Sequence, residues 1–153
     1  EKEGGRWVRL LGATHPNTEI LILVPQNKDP SHALQRFVDF YASQGYPISM
    51  RKFPHFLHDD GYHPSHLMSM KTGPNCCGTA EMEVIKVWNL TEYEALVYIE
   101  LDISVFRPMP ELFRCAGEGF DFISSSGVWS PINGGLFVLR PSNEIFEEMK
   151  RVL

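Results

Sequence analysis

The sequence predicts an α/β domain in which strands alternate with helices, and a chain of 153 residues is the usual length of one such domain. Three observations predict this class. The short, almost wholly apolar run at 19–25 is typical of a strand that is buried on both faces of a sheet. The residues at 142–153 carry apolar side chains at helical spacing. Between these segments, short apolar runs and amphipathic stretches follow one another in turn.

The first half of the chain is predicted to form a strand, a helix and a second strand. Asp29 is expected to cap the helix, with Pro30 at its first position, because aspartate accepts backbone hydrogen bonds and proline has no N–H group to leave unpaired there. Gly45 is expected to end the helix, since glycine readily adopts the left-handed conformation that follows a helix. The second strand is then expected within 46–53.

The second half is predicted to continue the alternation. Thr79 is expected to cap a helix whose apolar face includes Val87 and Trp88. Ser142 is expected to cap the last helix. Between these helices, the expected elements are strands at 95–99, 120–124 and 135–139 and one helical turn at 109–113.

The composition is that of an ordinary soluble globular protein, with 43% hydrophobic residues and a net charge of -5. The acidic balance and the lack of a lysine and arginine stripe argue against nucleic acid as the main partner. No apolar run is long enough to span a membrane, and the first residues lack the apolar core of a signal peptide. Three cysteines cannot all pair with one another, which favours a reducing compartment.

The predicted strand at 95–99 runs directly into two carboxylates. Glu100 and Asp102 alternate with Leu101, so the two acids point to the same side of an extended backbone. Like charges side by side cost free energy unless a positive charge lies between them, and Mg²⁺ or Mn²⁺ takes carboxylate oxygens. Ligands of α/β sheets bind beyond the carboxyl ends of strands. The strand end is therefore a candidate metal site, and a solvated strand end is the alternative.

The segment 54–78 is irregular and is expected to be a long loop or insertion. Its histidines and adjacent cysteines have a spacing that can gather ligands for tetrahedral Zn²⁺. A zinc-binding loop is therefore one hypothesis, and a merely polar loop is the alternative. The residues concerned are His55, His58, His63, His66, Cys76 and Cys77.

Two segments resemble the signatures of glycosyltransferase family 8. The first, 86–102, is similar to the family's lysine, tryptophan, Leu-Thr-x-Tyr step, apolar strand and Asp-x-Asp motif. The second, 133–142, is similar to the family's Asn-Ser-Gly-Val strand and the Pro-Ser helix start that follows it. The resemblance extends from about residue 19 to the end of the chain, with 54–78 poorly matched.

The resemblance implies a GT-A fold, which has three α/β/α layers around a mostly parallel central sheet. Residues 1–153 would then form a single partial domain, incomplete at both ends. It also implies a retaining glycosyltransferase that moves a sugar from a UDP-sugar donor to a glycan, polyol or protein acceptor, assisted by Mn²⁺ or Mg²⁺. Because the family works in both the cytoplasm and the Golgi, the compartment stays open between the two.

The resemblance implies which residues bind the donor and its metal, and it leaves the catalytic residues unidentified. Glu100 and Asp102 correspond to metal ligands, and Lys86 corresponds to a lysine near the donor, although on its own it would read as a solvated helix residue. Asn133 offers a donor and an acceptor to a sugar hydroxyl, and the two glycines after it either let the ligand approach the backbone or simply form a turn. The full set is Lys86, Glu100, Leu101, Asp102, Asn133, Gly134 and Gly135.

Three departures from the family pattern support a second hypothesis. The acidic motif begins with Glu100, whose extra methylene moves the carboxylate by roughly an ångström, and metal sites are sensitive to such a displacement. Residues 1–18 do not match the family's opening strand, and the histidine that is the family's third metal ligand is expected beyond residue 153. The alternative is a catalytically degenerate GT-A module that binds a nucleotide sugar or a partner without turnover.

Overall fold

The computed structural model describes residues 3–12, 18–26, 28–53, 83–100, 103–126 and 132–152. Helices and strands alternate from the first described helix to the fourth strand, so the predicted α/β class is confirmed. No helix there has the length and apolar character that crossing a bilayer requires. The helices are α1 (Glu3–Gly12), α2 (His32–Ser43), a 3₁₀ helix (Glu83–Asn89), α3 (Pro110–Gly117) and α4 (Asn143–Val152). The strands are β1 (Ile20–Pro25), β2 (Ile48–Phe53), β3 (Leu96–Ile99), β4 (Phe122–Ser124) and β5 (Leu136–Leu139).

Strands β1 and β2 form a parallel pair whose two faces are both covered. On one face, Ile20 and Ile22 of β1 pack against an apolar cluster that includes Val38 of α2 and the buried Val8 of α1. On the other face, Leu21 and Leu23 pack against a second cluster. Alternate residues of a strand face opposite sides, so a strand covered on both faces needs a continuous apolar run. The prediction for 19–25 is confirmed.

Strands β3, β5 and β4 form a separate antiparallel sheet, in that order. The resemblance implied a mostly parallel sheet. Among the described strands, one pair is parallel and two pairs are antiparallel, so the observed pairing differs from that expectation. The connection from β4 to β5 is shorter than the dozen or so residues that a parallel crossover needs. As β5 lies between β3 and β4, those two strands run parallel to each other without pairing, and α3 connects them.

The two sheets share one apolar core. The buried Val87 and Trp88 of the 3₁₀ helix, Phe137 and Leu139 of β5 and Phe146 of α4 form its centre. Partly buried side chains from β1, β2 and β3 pack against these residues. On the opposite face of β5, Val138 is buried, and α3 contacts both β3 and β5. The antiparallel sheet is thus covered on both sides, with the 3₁₀ helix and α4 on one side and α3 on the other.

Side-chain caps fix the helix ends, and one of them differs from the prediction. Ser31, rather than Asp29, caps α2, because its Oγ accepts the Leu34 N–H group at 3.2 Å, and the helix begins after Pro30, at His32. Asp29 instead lies 2.9 Å from the Lys52 ammonium on β2. Gly45 follows the end of α2 with a φ of 83°, as expected.

The remaining helices differ in length and type from the prediction. The Ser142 cap of α4 is confirmed, because its Oγ accepts the Ile145 N–H group at 3.3 Å. The predicted helix at Thr79 is a 3₁₀ helix where it is described, and Thr79 itself lies outside the described residues. The single turn expected at 109–113 is the longer helix α3, which buries Ala116. Helix α1 was not predicted.

Candidate functional site

Glu100 lies where the β3–β5 ladder ends. The ladder continues one residue past both strands, because the Glu100 N–H group donates a hydrogen bond to the Gly135 carbonyl at 2.9 Å. The side chains before it on the same face are apolar, and the rings of Tyr98 and Phe137 stack with centroids 4.7 Å apart. Glu100 is exposed beyond these rings. The facing pairs along this side of the ladder are Leu96 with Leu139, Tyr98 with Phe137 and Glu100 with Gly135.

The Glu100 carboxylate lies over Gly135 and close to the Asn133 side chain. A Cβ atom at position 135 would lie 3.1 Å from Glu100 Oε2 and 3.3 Å from Asn133 Oδ1. Because both oxygens lie within 3.3 Å of the same point, they are near neighbours. Two of the residues that the sequence predicted for one site are therefore brought together, with Gly135 between them.

The local backbone fixes Asn133 firmly. Its N–H group donates to the Ser125 carbonyl at 2.8 Å, and its carbonyl accepts the Ser124 hydroxyl at 2.8 Å. Its Oδ1 accepts the Gly135 N–H group at 2.8 Å. These bonds hold Asn133 to the end of β4 and the start of β5. No described residue accepts a hydrogen bond from the side-chain NH₂ group, which can donate to a ligand.

Lys86 lies in the 3₁₀ helix and is buried, with 5% of its surface exposed. The interpretation of Lys86 as a solvated helix residue is therefore wrong. Its Nζ lies 3.2 Å from Glu83 Oε2 and 5.7 Å from the centroid of the Phe53 ring. A buried ammonium needs such a counter-charge, because burial without a partner costs several kcal/mol. Its expected place near the donor stays a prediction.

Leu101 and Asp102 lie outside the described residues, as does the histidine-rich segment 54–78. The Asp102 ligand and the zinc hypothesis therefore stay predictions. Within the ranges described, no group of three His, Cys, Asp or Glu side chains is placed to hold a metal ion. The carboxylate of Glu100 and the amide oxygen of Asn133 are hard oxygen donors, the type that Mg²⁺ and Mn²⁺ take. The chemistry of these two donors fits such a cation.

A polar cluster that the sequence did not predict fixes the turn before β3. The Tyr93 hydroxyl donates to Glu19 Oε2 at 2.7 Å, and the Ser49 hydroxyl donates to Glu19 Oε1 at 2.5 Å. Arg51 forms an ion pair with Glu92, and its Nη2 donates to the Tyr93 oxygen at 3.4 Å. We call these residues the Tyr93 cluster. Tyr93 belongs to the Leu-Thr-x-Tyr step, which was the one signal that marked it.

The Tyr93 cluster shifts the ionisation of its members. The hydrogen bonds from Ser49 and then Tyr93 hold the pKa of the Glu19 carboxyl below its usual value. Burial, followed by the bond to Glu19, raises the pKa of Tyr93. The Arg51 guanidinium lowers the pKa of Glu92 through their hydrogen bond. The cluster is therefore built around charged carboxylates and a neutral tyrosine, and it ties β1 and β2 to the turn that leads into β3.

No family model matches the chain. The chain is 30% identical over 67 residues to inositol phosphorylceramide glucuronosyltransferase 1 of Arabidopsis thaliana, a match that covers 44% of the chain and 12% of that protein. It is 32% identical over 75 residues to the putative UDP-glucuronate:xylan alpha-glucuronosyltransferase 3 of the same plant, covering 48% of the chain and 11% of that protein. The chain thus matches about a tenth of the length of these curated relatives.

Both relatives are named as glucuronosyltransferases, and these enzymes belong to the glycosyltransferases, the class that the two sequence signatures indicated. The α/β architecture with its small parallel sheet is compatible with a glycosyltransferase fold. The fold, the relatives and the signatures are all consistent with a glycosyltransferase. The chain resembles part of a family 8 glycosyltransferase domain.

Proposed function

We propose that this chain is part of a retaining glycosyltransferase that takes a sugar from a UDP-sugar donor with the assistance of Mn²⁺ or Mg²⁺. The acceptor would be a glycan, a polyol or a protein. One observation carries the proposal: the ends of the two family-like segments meet, with the Glu100 carboxylate beside Asn133 Oδ1 over Gly135. The names of the two relatives support sugar transfer in general, and one of them makes UDP-glucuronate the donor to test first.

The chemistry of sugar transfer gives each of these residues a task. When the sugar leaves, negative charge develops on the diphosphate, and a bound divalent metal ion would act there as a Lewis acid. Glu100 and Asp102 would hold that ion through carboxylate oxygens. The Asn133 NH₂ group would bind a sugar hydroxyl and orient the donor. The hydrogen-bonded ladder would keep the backbone of Glu100 in place, and the bond from the Gly135 N–H group would hold the Asn133 side chain.

The Asp102→Ala variant tests the assigned metal site. We expect UDP to bind the unmodified chain in the presence of Mn²⁺, and we expect the substitution to abolish this binding, because it removes a metal ligand. Calorimetric titration of UDP with Mn²⁺ measures the loss. Glu94→Ala is the control, since it also removes an acid but one that is exposed in the turn before β3. Equal Mn²⁺-dependent affinity in Asp102→Ala and the unmodified chain would contradict the assignment.

The glutamate at position 100 favours a second candidate, a degenerate module that binds a nucleotide sugar or a partner without turnover. The longer side chain departs from the acidic motif of the family at the residue that approaches Asn133. The Glu100→Asp variant separates the two candidates when transfer from UDP-glucuronate is measured. A large gain in transfer would show a weakened enzyme. Binding of the donor without transfer in either form would favour the module.

A further inference from the structure

We infer that Gly135 is a positioning residue for Glu100, and that it acts by leaving the space which the Glu100 carboxylate occupies. That the carboxylate in this place serves a metal site rests on the proposed function. The place of the carboxylate itself rests on the contacts of described residues. A glycine at this place would thus serve a side chain of the same protein. This differs from the sequence expectation, in which Gly134 and Gly135 let a ligand approach the backbone.

The space over Gly135 is bounded by three atoms. A Cβ atom there would lie 3.1 Å from Glu100 Oε2, 3.2 Å from Ile103 Cδ1 and 3.3 Å from Asn133 Oδ1. Few Cβ atoms in proteins approach other atoms so closely, and at such distances a neighbour must give way by a few tenths of an ångström. An alanine at position 135 therefore requires at least one of the three neighbours to move.

Glu100 is the neighbour most free to move. Asn133 is held by hydrogen bonds through its backbone and through Oδ1. Ile103 is half-buried, so its side chain has less room to move than an exposed one. Glu100 is exposed, and no described residue donates a hydrogen bond to its carboxylate or forms an ion pair with it. A methyl group at 135 would thus displace the carboxylate at little cost in stability.

Backbone conformation does not account for the glycine. The described glycines with a positive φ are Gly45 and Gly119, so the backbone at Gly135 is one that an alanine also adopts. Its neighbour Gly134 has no atom within 4 Å of the place where a Cβ would lie. The two adjacent glycines therefore differ in the room around them, and Gly134→Ala is a matched control for Gly135→Ala.

The length of the Glu100 side chain makes the two positions interdependent. The terminal oxygen of glutamate reaches over Gly135, whereas an aspartate would be one methylene shorter and would end before that point. The Glu100→Asp variant should therefore tolerate a methyl group at 135. This expectation defines a double-mutant cycle, in which the coupling between two positions is measured directly.

The first test uses nuclear magnetic resonance on the full chain without metal. The side-chain carboxyl carbon of Glu100 is assigned by its loss in Glu100→Gln. We expect this resonance to shift in Gly135→Ala and to stay in place in Gly134→Ala. An unchanged resonance in Gly135→Ala would overturn the inference, whatever the metal affinity. If Gly135→Ala does not fold, the double variant with Gly135→Ala and Glu100→Asp replaces it in the test. This double variant folds only if the Glu100 carboxylate was the obstacle to the methyl group, so its failure to fold would overturn the inference.

The second test is a titration with Mn²⁺ alone. We expect Gly135→Ala to weaken Mn²⁺ binding about tenfold, the lower end of the effect of residues that orient metal ligands. In the Glu100→Asp background the same substitution should weaken binding less than about twofold. Equal losses in both backgrounds would overturn the inference. If the unmodified chain binds no Mn²⁺ while the Glu100 resonance still shifts, the inference stands and the proposed metal site fails.

Discussion

The Tyr93 hydroxyl donates a 2.7 Å hydrogen bond to the Glu19 carboxylate and thereby ties the turn before β3 to the start of β1. These two residues are 74 positions apart in the sequence. Arg51 reinforces the link, with its guanidinium carbon 5.8 Å from the centroid of the Tyr93 ring. Since Glu100 directly follows β3, this bond helps to fix the strand that leads into the candidate site.

Removing the Tyr93 hydroxyl should destabilise the protein. We expect Tyr93→Phe to lower the free energy of unfolding by about 1 kcal/mol, the usual net value of one hydrogen bond, because it leaves the Glu19 carboxylate one donor short. Urea unfolding measures the difference. Tyr46→Phe is the control, since no described residue bonds to the Tyr46 hydroxyl, and a change within about 0.5 kcal/mol is expected. Equal effects of the two substitutions would contradict the role given to the hydroxyl.

The lowered pKa of Glu19 predicts a loss of stability in acid. Because hydrogen bonds from Ser49 and Tyr93 hold the folded-state pKa below the ordinary value of 4.5, the contribution of Glu19 is fully present above that pH. It disappears as the pH falls through the folded-state pKa, when the carboxylate takes up a proton. Glu19→Gln should therefore be less stable than the unmodified chain near neutral pH and approach it below pH 4.5. Thermal unfolding of both proteins across this pH range measures the change. A difference in melting temperature that stays constant with pH would contradict the role given to Glu19.

The buried Lys86 should contribute more than an exposed lysine. We expect Lys86→Met to lower the free energy of unfolding by about 1–3 kcal/mol, because it removes the ammonium that lies 3.2 Å from the half-buried Glu83 carboxylate. Adding Glu83→Gln should restore at least half of the loss. Lys52→Met is the control, since its partner Asp29 is exposed, and a cost of up to about 1 kcal/mol is expected. Chemical denaturation of the variants would contradict this account if Lys86→Met cost no more than Lys52→Met.

The helix caps show which structural features local sequence patterns can predict. Ser142 and Gly45 were predicted correctly, because each acts on backbone groups a few residues away. Asp29 was assigned as a cap in the place of Ser31, since both residue types suit that position. In the folded chain Asp29 instead lies beside Lys52 of β2, which is 23 positions away in the sequence. Sequence patterns do not show contacts between such distant residues.

The sheet and the site were predicted in part for the same reason. Apolar runs identified most strands, but the insertion of β5 between β3 and β4 is a matter of pairing, which the runs do not encode. The resemblance named both Glu100 and Asn133, and the structure places them as neighbours. Their meeting over Gly135 depends on the register of β3 against β5. That register follows from the folded sheet and not from either segment alone.

The measurement that tests the proposed function most directly is calorimetric titration of UDP into this chain, with and without Mn²⁺. We predict that UDP binds with Mn²⁺ and not without it, because the carboxylates of Glu100 and Asp102 would repel the diphosphate unless a cation lay between them. Binding that is equally tight without any divalent metal would contradict the metal site. A folded chain that binds no UDP under either condition would contradict the proposed donor.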